Sequence, residues 1–165
     1  MPLLLKGSCR CGAVRFEVGS HTPVPYQLCY CSICRKQQGG GGYAINLGAN
    51  AETLKIVGRR NLGLYRAEIE DDEHPHCEIS SGERRFCRKC GAALWLFDPS
   101  WPDLLHPFAS AIDSHLPKAP KKVHLMLKYK AGWIEPAIGP DDDTFDLYPE
   151  LSLAAWHHAN GLWVD

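Results

Sequence analysis

The sequence predicts a mainly β fold in a single compact domain, with one short helix near its C-terminus. Three observations carry that expectation. Short apolar runs recur with period two, prolines at 99, 102, 107, 117 and 120 keep the segment 98–122 poor in helix, and only the tail has apolar residues at helical spacing. With 165 residues and 45% hydrophobic content the chain can bury one real core, and it is too short to expect two.

Taken in order, Ala13, Val14, Phe16 and Val18 alternate loosely between Lys6 and Val18 and end at a Gly-Ser-His-Thr-Pro cluster, which reads as a strand closed by a turn. Pro23 and Pro25 hold the next stretch extended. Gly39–Gly42 lies between two apolar segments and reads as a loop, or as a strand where backbones approach closely. Residues 53–57 and 62–69 have strand composition, and the acidic Glu70–Glu73 reads as a solvated turn. Ala93–Phe97 is a further strand candidate, followed by a short one near Phe108–Ile112, and Val123–Lys130 alternates as a half-buried strand. Between Tyr148 and Asn160 the residues Leu151, Leu153, Ala154, Trp156 and His157 can share one helical face, and Gly161 supplies the stop.

The 18 basic and 19 acidic residues nearly cancel, so no global field draws the protein to nucleic acid or to an anionic membrane. Leu3–Leu5 is far shorter than the apolar core of a secretion signal, and no apolar run is long enough to span a bilayer. A cytoplasmic protein is the expectation. In a reducing cytosol eight cysteines point to metal rather than to disulfides.

The cysteines fall into two patterns. Cys9-Arg-Cys11-Gly12 and Cys87-Arg-Lys-Cys90-Gly91 are tight pairs, each followed by a glycine that lets the backbone turn its amides toward sulfur. Four such thiolates close a tetrahedral zinc site and leave no position for substrate, so Cys9, Cys11, Cys87 and Cys90 are expected to be structural. Between them stands Cys29-Tyr30-Cys31-Ser32-Ile33-Cys34. Three thiolates match a catalytic zinc, which keeps a fourth position open, and a soft metal so held suits an incoming thiol, which coordination deprotonates.

The order CxC-G, then C-x-C-x-x-C-R-K, then R-x-F-C-x-x-C-G, then a late His and Lys before Gly-Trp-Ile-Glu, resembles the glutathione-dependent formaldehyde-activating enzymes and their relatives related to centromere protein V. The resemblance covers roughly residues 5 to 138. It implies a β-tent fold of stacked antiparallel sheets, two zinc ions per chain on the two cysteine sets, and a carbon-sulfur lyase that condenses formaldehyde with glutathione. On that basis residues 1–140 form the zinc-binding domain, and 141–165 a C-terminal extension whose short helix packs on it. Two positions depart from the family pattern. Tyr30 stands where a histidine is usual, leaving a phenol that can orient substrate but not shuttle protons at neutral pH, and Cys77 is an eighth cysteine, either a bystander or a fourth ligand that would close the second site.

With that site closed or empty, the protein would be a non-catalytic zinc module or thiol carrier. Cys31 and Cys34 as a redox CxxC pair lack the βαβ setting such a motif needs. His124, Lys128 and Lys130 read as the wet face of a strand, and Arg84 and Arg85 as anion contacts or surface residues. Trp95, Phe97, Trp101 and Trp133 read as core, and His157-His158 as solvated. No glycine-rich phosphate loop is present, so no nucleotide cofactor is expected.

Overall fold

The computed structural model describes residues 1–38, 40–69 and 74–165; Gly39 and the acidic turn expected at Glu70–Glu73 lie outside the described residues. The first strands are β1 (Leu3–Ser8), β2 (Arg15–Ser20) and β3 (Gln27–Cys29), followed by helix α1 (Ser32–Gln38). Then come β4 (Ala44–Ile45), β5 (Ala49–Asn50), β6 (Lys55–Val57), β7 (Leu62–Tyr65), β8 (Glu68–Ile69) and β9 (Glu78–Ile79). β10 (Glu83–Cys87), β11 (Ala93–Phe97), β12 (Leu104–Pro107), β13 (Val123–Leu125), β14 (Asp143–Thr144) and helix α2 (Leu153–Ala159) complete the chain. The mainly β architecture with a short C-terminal helix is as the sequence predicts.

Antiparallel pairing builds a three-stranded sheet in the order β1-β2-β6 and a five-stranded sheet in the order β5-β12-β11-β10-β7. A third sheet, β14-β13-β3-β4, is mixed, because β13 runs parallel to both β3 and β14, and β8 pairs with β9. The first two sheets enclose the main core, where Leu5, Val14, Phe16, Val18, Leu94 and Leu105 are buried and the Phe16 and Trp95 rings meet edge to face at 5.0 Å. A second core seats α2, whose Trp156 stacks on Tyr26 with ring centroids 3.5 Å apart, beside Val24 and Val123. Burial of such a ring contributes about 3 kcal/mol, which is what fixes so short a helix in place.

Several local expectations change. The single strand read between Lys6 and Val18 is a hairpin, split where the chain turns through Cys9–Gly12 with Gly12 at φ +74°. The strand read at Val123–Lys130 ends at Leu125, since Met126 takes φ +59° and residues 127–129 form a 3-10 turn. His124 on that strand is 1% exposed, because β13 is covered on both faces as an inner strand of the mixed sheet. Phe108–Ile112 is not a strand but encloses a 3-10 turn, and α1 was not foreseen at all. Trp101 and Trp133 are 67% and 69% exposed, so they are not core. His157 is buried rather than solvated: its Nδ1–H donates to Leu153 O, its Nε2 accepts from Val24 N, and burial holds its pKa below the usual value. No helix among the described residues is long and apolar enough to cross a membrane.

Candidate functional site

Two knuckles bring the first four thiols together. Gly12 N donates to Cys9 O and Gly91 N to Cys87 O, and both glycines take positive φ, the conformation that folds each pair back on itself. The Sγ atoms of Cys9, Cys11, Cys87 and Cys90 all lie within 4.8 Å of one another, with 3.6 Å between Cys9 and Cys11 and 3.8 Å between Cys11 and Cys87. Four thiolates about 2.3 Å from a tetrahedral zinc stand about 3.8 Å apart, so the spacing fits such an ion. Backbone amides face the sulfurs: Val14 N reaches Cys9 Sγ at 3.3 Å, and the amides of Ala92 and Cys11 lower the Cys90 thiol to about 6.

The second cluster gathers Cys29, Cys31 and Cys34, whose Sγ atoms also lie within 4.8 Å of one another. Cys29 ends β3, and the chain then enters α1, where Cys34 N–H donates to Cys31 Sγ at 3.3 Å as it would to a capping serine. Hydrogen bonds from the Cys29 and Cys31 thiols, and then the Arg84 guanidinium, hold the Cys34 thiol well below its ordinary pKa; the same bonds, with burial, push Cys29 well up. Arg84, only 9% exposed, sets both Nη1 and Nη2 at 3.9 Å from Cys34 Sγ, which answers the sequence-level choice between anion contact and surface residue in favour of contact. Arg85 instead pairs with Glu83 at 2.8 Å. Cys77 is exposed and belongs to neither set among the described residues.

Tyr30 alternates with the thiols and packs on the other side, with Leu28 and Ile134. Its hydroxyl is 2.9 Å from His124 Nδ1, and His124 Nε2 is 3.1 Å from Asp142 Oδ2. Asp142 is ionised, held at about 2 first by the Gly139 amide, so Nε2–H donates to it; burial raises the Tyr30 phenol to about 12, so it stays protonated and donates to Nδ1. The hydroxyl expected to orient substrate is thus taken up by a buried chain that ties β3 to β13. Tyr30→Phe is expected to lower unfolding free energy by about 1–3 kcal/mol through the unpaired His124, with bound metal unchanged. A chemical denaturation series with metal analysis of the same samples checks this; metal loss at unchanged stability would contradict it.

Leu96, His106 and Asn46, which sequence reasoning did not single out, complete the surroundings beside Arg84. Arg84, Leu96 and His106 are directly paired across β10, β11 and β12, so they form one row on the sheet face opposite Trp95. Leu96 and His106 line a cavity of about 780 Å³, together with Asn46, Leu104 and Trp101. His106 Nδ1 lies 3.1 Å from Leu47 O, which only accepts, so Nε2 is the acceptor of the ring, and burial keeps its pKa low. Asn46 Nδ2 is 4.0 Å from Cys34 Sγ, while its Oδ1 is buried without a hydrogen-bond partner. Nothing in the local sequence around Asn46 or His106 marks them; only strand pairing does.

A mainly β protein with one closed set of four thiols and one set of three beside a cavity is the class that fold and site define. Residues 4–126 match the family described as glutathione-dependent formaldehyde-activating enzyme. A protein of Halomonas elongata named "Putative glutathione-dependent formaldehyde-activating enzyme" is 54% identical over 160 residues, covering 97% of this chain and 98% of that protein. The chain therefore belongs to the glutathione-dependent formaldehyde-activating enzyme family. A crystal structure of a Rhodobacter sphaeroides protein, 29% identical, is similar with a TM-score of 0.49 over 68% of this chain and 91% of that one.

Proposed function

We propose that this chain is a zinc-dependent enzyme of carbon-sulfur lyase type that joins a small thiol, glutathione or a close relative, to a carbonyl compound and releases it again. The three-thiol cluster carries the reading: three sulfurs converge within 4.8 Å, with the exposed Cys77 outside the set. Cys29, Cys31 and Cys34 would hold a zinc ion, which when bound would supply an open position able to acidify a thiol, whereas Cys9, Cys11, Cys87 and Cys90 would hold a closed, structural one. In the addition, the thiol sulfur attacks the carbonyl carbon, the C=O π pair moves to oxygen, and the thiol proton ends on that oxygen as the carbinol hydroxyl. The reverse step cleaves the C–S bond and restores both partners.

The chain's own residues set up the reaction. Arg84 offsets negative charge gathered on the cluster, and the Tyr30–His124–Asp142 chain holds β3 in register, so that Tyr30 acts by position rather than by touching substrate. Arg35 and Lys36 follow Cys34 on α1 and supply cations for the carboxylates of glutathione; Arg35 Nε is buried and unpartnered. We assign the protein to the cytoplasm, since eight unpaired cysteines fit a reducing compartment.

Zinc-loaded protein should accelerate formation of the thiol adduct from glutathione and an aldehyde, followed by exchange NMR against the uncatalysed background. If zinc-loaded protein gives no acceleration with any aldehyde, the enzymatic reading fails.

A further inference from the structure

We propose that the cavity beside the three-thiol cluster receives the carbonyl partner, and that this partner carries a bulky, uncharged apolar or aromatic group. The inference rests on the thiol-to-carbonyl reading above and narrows its substrate class. Formaldehyde has two heavy atoms and would leave nearly all of the roughly 780 Å³ unused, whereas cavities of this size enclose molecules many times larger.

Three features define the occupant. The walls are apolar and aromatic, with Leu96, Leu104 and Trp101 on the sheet side and Tyr148, Leu151 and Trp163 on the C-terminal side. That second wall lies beyond residues 4–126, the part that matches the family. Glu52 and Asp103 are the acidic lining residues, both exposed, and no lysine or arginine is found among the described residues that line the cavity. Arg84, the nearest cation in the row, has both terminal nitrogens on Cys34. An anion entering here would meet the like charge of Glu52 and Asp103 and no lysine or arginine, so the carboxylates of glutathione do not belong in this cavity and an uncharged group does.

The cavity borders the cluster through one residue, and none of the three thiols lines it. Asn46 lines it while its Nδ2 lies 4.0 Å from Cys34 Sγ. A carbonyl carbon near the cluster would thus have its substituent directed along the apolar walls. Adduct formation there is the addition already described, with Asn46 standing between the cavity and the cluster. This is the same atom balance as before: one C–S bond forms and the thiol proton becomes the hydroxyl proton.

The test uses the full zinc-loaded chain. Saturation-transfer NMR should detect binding of 2-phenylethanol and not of phenylacetate. The rate gain over background should be larger for glutathione with phenylacetaldehyde than with formaldehyde. Ala154→Trp, at an exposed helix position lining the cavity, should weaken 2-phenylethanol binding and reduce the phenylacetaldehyde gain by about tenfold, the scale on which a pocket discriminates by size. Trp101→Ala, which removes an exposed wall residue, should act in the same direction if Ala154→Trp proves insoluble. Acceleration with formaldehyde but no larger gain with phenylacetaldehyde, or equal binding of phenylacetate, overturns this inference alone. No acceleration with either aldehyde overturns the functional reading beneath it.

Discussion

Serine in place of Cys87 is expected to leave the protein largely insoluble, or less stable by more than about 5 kcal/mol, which is the whole margin of many domains. Cys87 is fully buried at the end of β10, in contact with the main core, and its knuckle is closed by hydrogen bonds from Gly91 and to Ala92. Its sulfur meets Cys11 across 76 residues of chain, so the four-thiol site joins the β1–β2 hairpin to the five-stranded sheet. Metal affinity at such a site is folding free energy, because the unfolded chain does not hold the four sulfurs together. Solubility, metal content and thermal melting of the variant against wild type measure the effect. A Cys87→Ser protein that melts where wild type does, with its metal lost, would show that the sheets close without the ion.

The second large effect is on chemistry rather than folding. Cys31→Ser should give a folded, soluble protein whose zinc content falls from about two per chain toward one and whose acceleration of thiol addition drops to background. Folding survives for a local reason. Cys31 Sγ caps the first turn of α1 through the Cys34 amide, and a serine hydroxyl can accept that same bond. The hydroxyl does not replace a thiolate as a soft ligand, so the metal is left with Cys29 and Cys34. Retention of the second zinc with full activity would remove Cys31 from the site, and loss of the fold would mean that this cluster, too, is structural.

The grouping of seven cysteines into a set of four and a set of three is legible in the chain because it depends on count and spacing. Two pairs with trailing glycines supply four thiols and a third group supplies three, and the structure brings together the sulfurs of each set. Where the reading went astray, pairing had overruled pattern. Val123–Lys130 alternates like a half-buried strand, yet β13 lies between β3 and β14 in a mixed sheet, so His124 is enclosed and spent on Tyr30 and Asp142 instead of facing water. α1 escaped notice because its seven residues have no apolar stripe; it is held by Cys34 in the cluster and capped by a thiol, which propensity scales do not foresee.

By itself the sequence determined the mainly β class, the short terminal helix, the grouping of seven cysteines into four and three, and the family resemblance. All of these follow from period, spacing and residue chemistry along the chain. Only the tertiary structure decided what stands around the second cluster. Arg84, Leu96 and His106 are distant in sequence and become neighbours because β10, β11 and β12 pair in one register, and Asn46 reaches Cys34 from the segment between β4 and β5. The aromatic side chains of the tail complete the cavity because Trp156 is anchored on Tyr26, which sets where Tyr148 and Trp163 stand. A cavity is a property of surfaces that meet, and a linear pattern records only the residues each surface is made from.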